Sequence, residues 1–143
     1  MKVFLIAVLL VTCVGLSDQA AADGDQPGSS ICGGYLKPDQ IFRDRTNLYD
    51  HSGRRVGELR EDPRFKDRTN IYDRDGRLNG YLEQDRLLKD QVNIYDRHGR
   101  KQGTMRTDRL LKGRTSVYDR SGNREGYLEK DRLDPDRTEI RCD

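Results

Sequence analysis

The residues of this chain that could do chemistry are few: three cysteines, two histidines and a series of aspartates set near glycines. Asp73-Arg74-Asp75-Gly76 has the composition of a calcium loop. An EF-hand with Gly76 in its sixth place, however, needs oxygen ligands at Ile71 and Leu82, and neither side chain has one. The corresponding loops carry Ser52, His98 and Ser121 in place of Asp75, so the segment reads as a turn. His51 and His98 fall at different places of that loop and do not form a metal pair. No serine has a base beside it in the pattern. The expectation is therefore a non-enzyme, with no catalytic residue, no metal and no cofactor.

The elements that carry these residues repeat. Tyr49, Tyr72, Tyr95 and Tyr118 stand 23 residues apart, each followed by aspartate, and a fixed period of this size marks a repeat architecture. Four copies run Phe42–Arg64, Phe65–Leu87, Leu88–Leu110 and Leu111–Leu133. In each, Leu48, Ile71, Ile94 or Val117 precedes the tyrosine. Asp50–Gly53, Asp73–Gly76, Asp96–Gly99 and Asp119–Gly122 then suit a type I turn whose glycine takes the left-handed conformation, with a bulge. The second arm carries Gly57, Gly80, Gly103 and Gly126, which predict a close approach or a bend. It leaves through a corner holding Asp62, Asp85, Asp108 or Asp131, expected to be polar. Each copy is one β-hairpin. The tyrosines and the Ile/Leu positions lie on opposite faces, and the pattern leaves open which face is buried.

A lone hairpin is marginal in water, so the copies must stack or close on one another. Gly34–Ile41 reads like Gly80–Leu87, a second arm without its first. Asp136–Ile140 reads like Asp67–Ile71, a first arm without its second. Together they predict a fifth hairpin made from both ends of the chain. Cys142 falls at the phase of Asp73 and Cys32 at that of Leu78, which flank the turn, so a Cys32–Cys142 disulfide stands where the fifth turn would be. The fold class expected is all-β: a closed ring or shallow barrel of five short antiparallel hairpins. An open β-solenoid is the alternative, and it leaves the match of the cysteines unexplained.

Domain organisation follows. Lys2 and the apolar run Val3–Leu16, with Ala20-Ala21-Ala22 before Asp23, predict a signal peptide at 1–22; the run is too short to span a bilayer. Residues 23–30 read as a flexible linker and 31–143 as the repeat domain. An alternative makes Cys13 an acylated lipoprotein cysteine, though Thr12 departs from the small residue usual before it. The chain is thus expected to be secreted or periplasmic. Lys+Arg number 27 against Asp+Glu 25 and alternate finely, without the basic run of a nucleic-acid binder.

Tyr72-Asp73-Arg74-Asp75-Gly76-Arg77-Leu78 resembles the YD repeat of large secreted bacterial shell proteins. The closed set of short hairpins, over about residues 33–142, resembles more the small bacterial β-flower proteins, whose hairpin petals surround a pseudo-symmetry axis. The YD shells enclose a toxin with many more copies, so that role does not carry over. The β-flower outline is similar to the tubby-type lipid-binding fold, which implies at most a lipid or membrane contact. The 23-residue MORN repeat shares the period but not the aromatic and glycine pattern.

What remains is repetition, which turns one side chain into a circle of five. Tyr49, Tyr72, Tyr95 and Tyr118 form one circle, with Arg141 in the fifth place; Arg45, Arg68, Arg114 and Arg137 form another, with Gln91 as the exception. Arg74, Arg97 and Arg120 gather at the loop tips. These tyrosines and tip arginines are the candidate ligand surface. The expected function is an exported binding module for a glycan or cell-envelope polymer. A structural or protein-interaction module and a lipid-contacting β-flower are the alternatives.

Overall fold

Ten short segments of alternating character become ten strands. The computed structural model describes residues 32–143. The strands are β1 (Tyr35–Pro38), β2 (Arg45–Tyr49), β3 (Arg55–Glu61), β4 (Arg68–Asp73), β5 (Leu78–Gln84), β6 (Gln91–Asp96), β7 (Lys101–Thr107), β8 (Arg114–Asp119), β9 (Arg124–Lys130) and β10 (Thr138–Cys142). Each pairs antiparallel with its neighbours in sequence, and β1 pairs with β10, so the sheet is a closed barrel. There is no helix among the described residues. The expected signal peptide, the linker over 23–30 and Cys13 lie outside the described residues.

The turns explain the hairpins. The amide of Gly76 donates to the Asp73 carbonyl at 3.1 Å, and that of Asp73 to the Arg77 carbonyl at 3.0 Å. Asp73 Oδ1 accepts from the amides of Asp75 and Arg77, fixing the turn from inside. Gly76 has φ of 77°, open to glycine at little cost. A one-residue register shift follows between Ile71 and Tyr72, and the same shift recurs at Leu48/Tyr49, Ile94/Tyr95 and Val117/Tyr118. Gly53, Gly99 and Gly122 take the same left-handed conformation.

The interior is one apolar layer at the waist, to which every strand contributes a side chain. Five cross-strand pairs compose it: Leu36 with Leu48, Leu59 with Ile71, Leu82 with Ile94, Met105 with Val117, and Leu128 with Ile140. All ten are buried, and Val92 joins them. Fully burying such a side chain is worth about 1.5–3 kcal/mol, so a core this thin leaves stability dependent on the closure of the sheet. The Ile/Leu positions face inward, and the tyrosines face outward.

Gly80 shows why the second arm needs glycine. It lies opposite Ile71 on one side, and on the other a Cβ would stand 2.4 Å from the backbone oxygen of Tyr95. Gly57, Gly103 and Gly126 meet the next strand's backbone in the same way, at 2.6, 2.2 and 2.2 Å.

The first and last described strands close the barrel in the register of a continuous hairpin. Tyr35 faces Glu139 and Leu36 faces Thr138, as Tyr81 faces Asn70 and Leu82 faces Thr69. The Gly33 amide donates to Ile140 and the Ile140 amide to Gly34. Cys32 and Cys142 are disulfide-bonded with their Cα atoms 5.6 Å apart. The bond is consistent with an oxidising compartment.

Candidate functional site

The tyrosine circle lies on the outer wall, half-buried, and its faces are largely taken. Tyr49 stacks on Tyr35 and Tyr95 on Tyr81, with ring centroids 4.9 and 5.0 Å apart. Where the partner strand carries Glu58 or Thr104 in place of a second tyrosine, an arginine covers the ring instead: Arg60 over Tyr72 at 4.8 Å, Arg106 over Tyr118 at 5.8 Å. The arginine circle is likewise engaged. Arg68 lies 4.5 Å from the ring centre of Phe65 and 4.2 Å from that of Tyr81, and bonds Glu83 at 2.9 Å. Arg45, Arg114 and Arg137 lie over Phe42, Tyr127 and Tyr35. Their Nε atoms are buried without a hydrogen-bond partner, because each guanidinium is laid flat on a ring. In the odd place, Gln91 is buried and accepts from Arg106 Nε at 2.8 Å. This wall consists mainly of aromatic and guanidinium groups packed on each other.

Arg74, Arg97 and Arg120 are exposed at the turn end of the barrel, and Arg97 Nε approaches His98 Nε2 at 3.1 Å. The tyrosine belt and these tips are separate surfaces: one is the sidewall, the other an end. Among the described residues, no group of three or more His, Cys, Asp or Glu side chains could hold a metal ion.

The other end differs from expectation. In an antiparallel barrel every second connection emerges at the same end, so the five corner loops, 39–44, 62–67, 85–90, 108–113 and 131–137, form one rim. These corners are polar, but four of them also hold an apolar side chain out in solvent. Ile41, Leu87, Leu110 and Leu133 are 81%, 90%, 93% and 95% exposed. Phe42, Phe65, Leu88 and Leu111 beside them are about half exposed.

The corner aspartates hold these side chains out. Asp85 Oδ1 accepts from the amides of Leu87 and Leu88 at 2.9 and 3.0 Å, and Oδ2 from the Asn93 amide group at 3.0 Å. Asp39, Asp62, Asp108 and Asp131 bind the amides two and three residues on in the same way. Bonds from Asn93 and from the loop amides hold the Asp85 carboxyl at about 2, down from 3.8. Those from Phe42, Asn47 and Ile41 do the same for Asp39, also to about 2. Each loop therefore turns a carboxylate inward and lifts the residue two places on to its apex.

Turning the acids inward leaves cations outward. Arg43, Arg64, Lys66 and Arg86 are exposed on the rim, as are Lys89, Arg109, Lys112 and Arg132. Only Asp44, Asp67 and Asp136 are exposed acids of these loops. The rim is an apolar ring set among basic side chains. Sequence reading missed it because a leucine after Asp-Arg looks like any other leucine until the loop's hydrogen bonds show that it cannot turn in.

No protein-family model matches the chain, and no curated protein matches it. A solved structure similar in outline is that of an Arabidopsis thaliana protein determined by X-ray diffraction. It has 10% sequence identity, a TM-score of 0.47, and a match over 76% of this chain and 78% of the other. At that level the likeness carries no functional argument.

Proposed function

We propose that this is an exported, non-enzymatic module that docks on a lipid membrane surface through the corner-loop rim. Its barrel is five 23-residue hairpin units about an approximate fivefold axis, the fifth unit assembled from both ends. The observation that carries the reading is the set of four apices, Ile41, Leu87, Leu110 and Leu133, held in solvent at one end by the hydrogen bonds of their own loops. Large exposed apolar patches on a folded protein mark interaction sites. Burying even part of four such side chains, each worth about 1.5–3 kcal/mol, exceeds the roughly 4 kcal/mol of a millimolar Kd before the costs of association.

Charge selects the occupant. Basic side chains around an apolar ring suit an interface whose phosphates are anionic, with the stems snorkelling beside the inserted leucines. A second copy seated rim to rim would set cations against cations, which opposes it. The disulfide and the apolar segment Val3–Leu16 support an exported location. Flotation with phosphatidylcholine vesicles, with and without phosphatidylglycerol, tests the reading. Binding should require the anionic lipid, weaken with salt and be lost in a Leu87→Ser/Leu110→Ser protein. Both proteins share residues 1–30, so their difference reads the rim alone; equal flotation would sink it.

A glycan reading keeps one observation in its favour: the stacked pairs Tyr35–Tyr49 and Tyr81–Tyr95 on the outer wall. A glycan array tests it, with Tyr95→Ala as the variant that should lose the signal. Arg74, Arg97 and Arg120 at the opposite end would then be free to meet acidic groups.

A further inference from the structure

The corner loop at 62–67 departs from the other four. Its apex is Arg64, where the equivalent places hold Ile41, Leu87, Leu110 and Leu133. Beside it lies a cleft of about 290 Å³, between this loop and the end of β5. Arg64, Lys66, Arg68 and Arg86 bring four positive charges to its wall, and Asp67 and Glu83 bring two negative ones, so the balance is 4 − 2 = +2.

These cations are not equivalent. Arg68 is bound to Glu83 and held between the rings of Phe65 and Tyr81, which fixes one guanidinium in the wall. Arg64, Lys66 and Arg86 form no ion pair among the described residues. One anchored cation with three uncommitted ones around a small cleft is an anion-binding arrangement, and the place where the repeat exchanges its apolar apex for arginine is the place where it occurs.

We propose that this cleft binds a phosphate monoester as its dianion. A monoester carries −1.5 to −2 at neutral pH, its second pKa being about 6, which matches the surplus of two. A phosphodiester or a sulfate ester carries one charge and leaves a cation uncompensated. Guanidinium groups engage the three terminal oxygens by paired hydrogen bonds, which favours arginine over lysine at the apex. The monoester comes either from a lipid headgroup or from a soluble metabolite. The headgroup source rests on the docking reading, since Leu87 beside Arg86 would put the cleft at headgroup level; the soluble source does not.

Arg64→Leu restores the residue type of the other apices and leaves the barrel interior untouched. Inorganic phosphate, titrated calorimetrically, should bind the parent protein and bind Arg64→Leu at least about tenfold more weakly, the cost of one charge-assisted pair. Affinity should fall as pH drops from mildly alkaline through neutrality, where inorganic phosphate loses its dianion, and for a monoester the fall should come lower, near about 6. Lys101→Leu, a charge removal away from the rim, should bind as the parent does. Phosphatidylcholine vesicles carrying phosphatidic acid should be preferred over vesicles of equal surface charge carrying phosphatidylglycerol, and Arg64→Leu should abolish the preference while keeping the binding. Phosphate binding without vesicle binding supports the cleft with a soluble source and overturns docking instead. Equal phosphate affinity in the parent and Arg64→Leu, or an equal loss in Lys101→Leu, overturns the cleft.

Discussion

Gly80 lies against the carbonyl oxygen of Tyr95 so closely that an added Cβ would stand 2.4 Å from it. The contact is with backbone, not with the end of a flexible side chain, so the next strand would have to move. Gly80→Val should therefore destabilise the barrel by about 1–3 kcal/mol. A denaturant melt with an unmoved midpoint would show that the strands can part there freely.

Closure rests on the shortest seam. β1 and β10 are matched over two residue pairs, against five at β9–β10, and the disulfide stands at the end of that seam. Replacing Cys32 and Cys142 by serine should cost about 2–4 kcal/mol. Hydrogen exchange should quicken first at Tyr35, Leu36 and Ile140, with Tyr72–Leu82 following. Loss of protection that starts at Tyr72–Leu82 contradicts this order.

Acid should loosen the loops that these carboxylates brace. The carboxyls of Asp39 and Asp85 are held near 2 in the folded chain against roughly 3.9 unfolded. A depressed folded pKa contributes stability that is complete above the unfolded value and is lost as pH falls from about 4 through about 2. Thermal midpoints should fall across that window. Asp85→Asn should reduce the slope; an acid slope unchanged by it would place the sensitivity elsewhere.

Stability and docking should separate at the rim. Leu110 is 93% exposed and contributes nothing to the interior, so Leu110→Ser should shift stability by no more than about 0.5 kcal/mol. The same change should weaken vesicle binding measurably. A large loss of stability would mean that the apex packs in a way its exposure does not show.

Much of the fold was legible because the repeat fixes phase. The matching of Gly34–Ile41 with Gly80–Leu87 implied a seam between the two ends, and the facing phases of Cys32 and Cys142 implied its staple; the structure has both. Which face turns inward was not legible. Ile71 and Tyr72 are both large and apolar enough to fill a barrel, and only the narrow interior, which accepts one aliphatic layer, decides for Ile71. The rim escaped for another reason. Composition cannot tell a leucine that will be buried from one that a neighbouring aspartate, accepting hydrogen bonds from two backbone amides, holds in water.

The seam of β1 and β10 also bears on where such a chain can be cut. Its residues face each other in the register of Asn70 with Tyr81, and a sulfur bridge occupies the place of a reverse turn. Seen along the axis, the start and finish of the described polypeptide are then an arbitrary break in a ring. A circular permutant, opened at the Asp73–Gly76 turn and joined by a short peptide across Cys32 and Cys142, would have the same neighbours at every strand. The disulfide is the covalent record of that break.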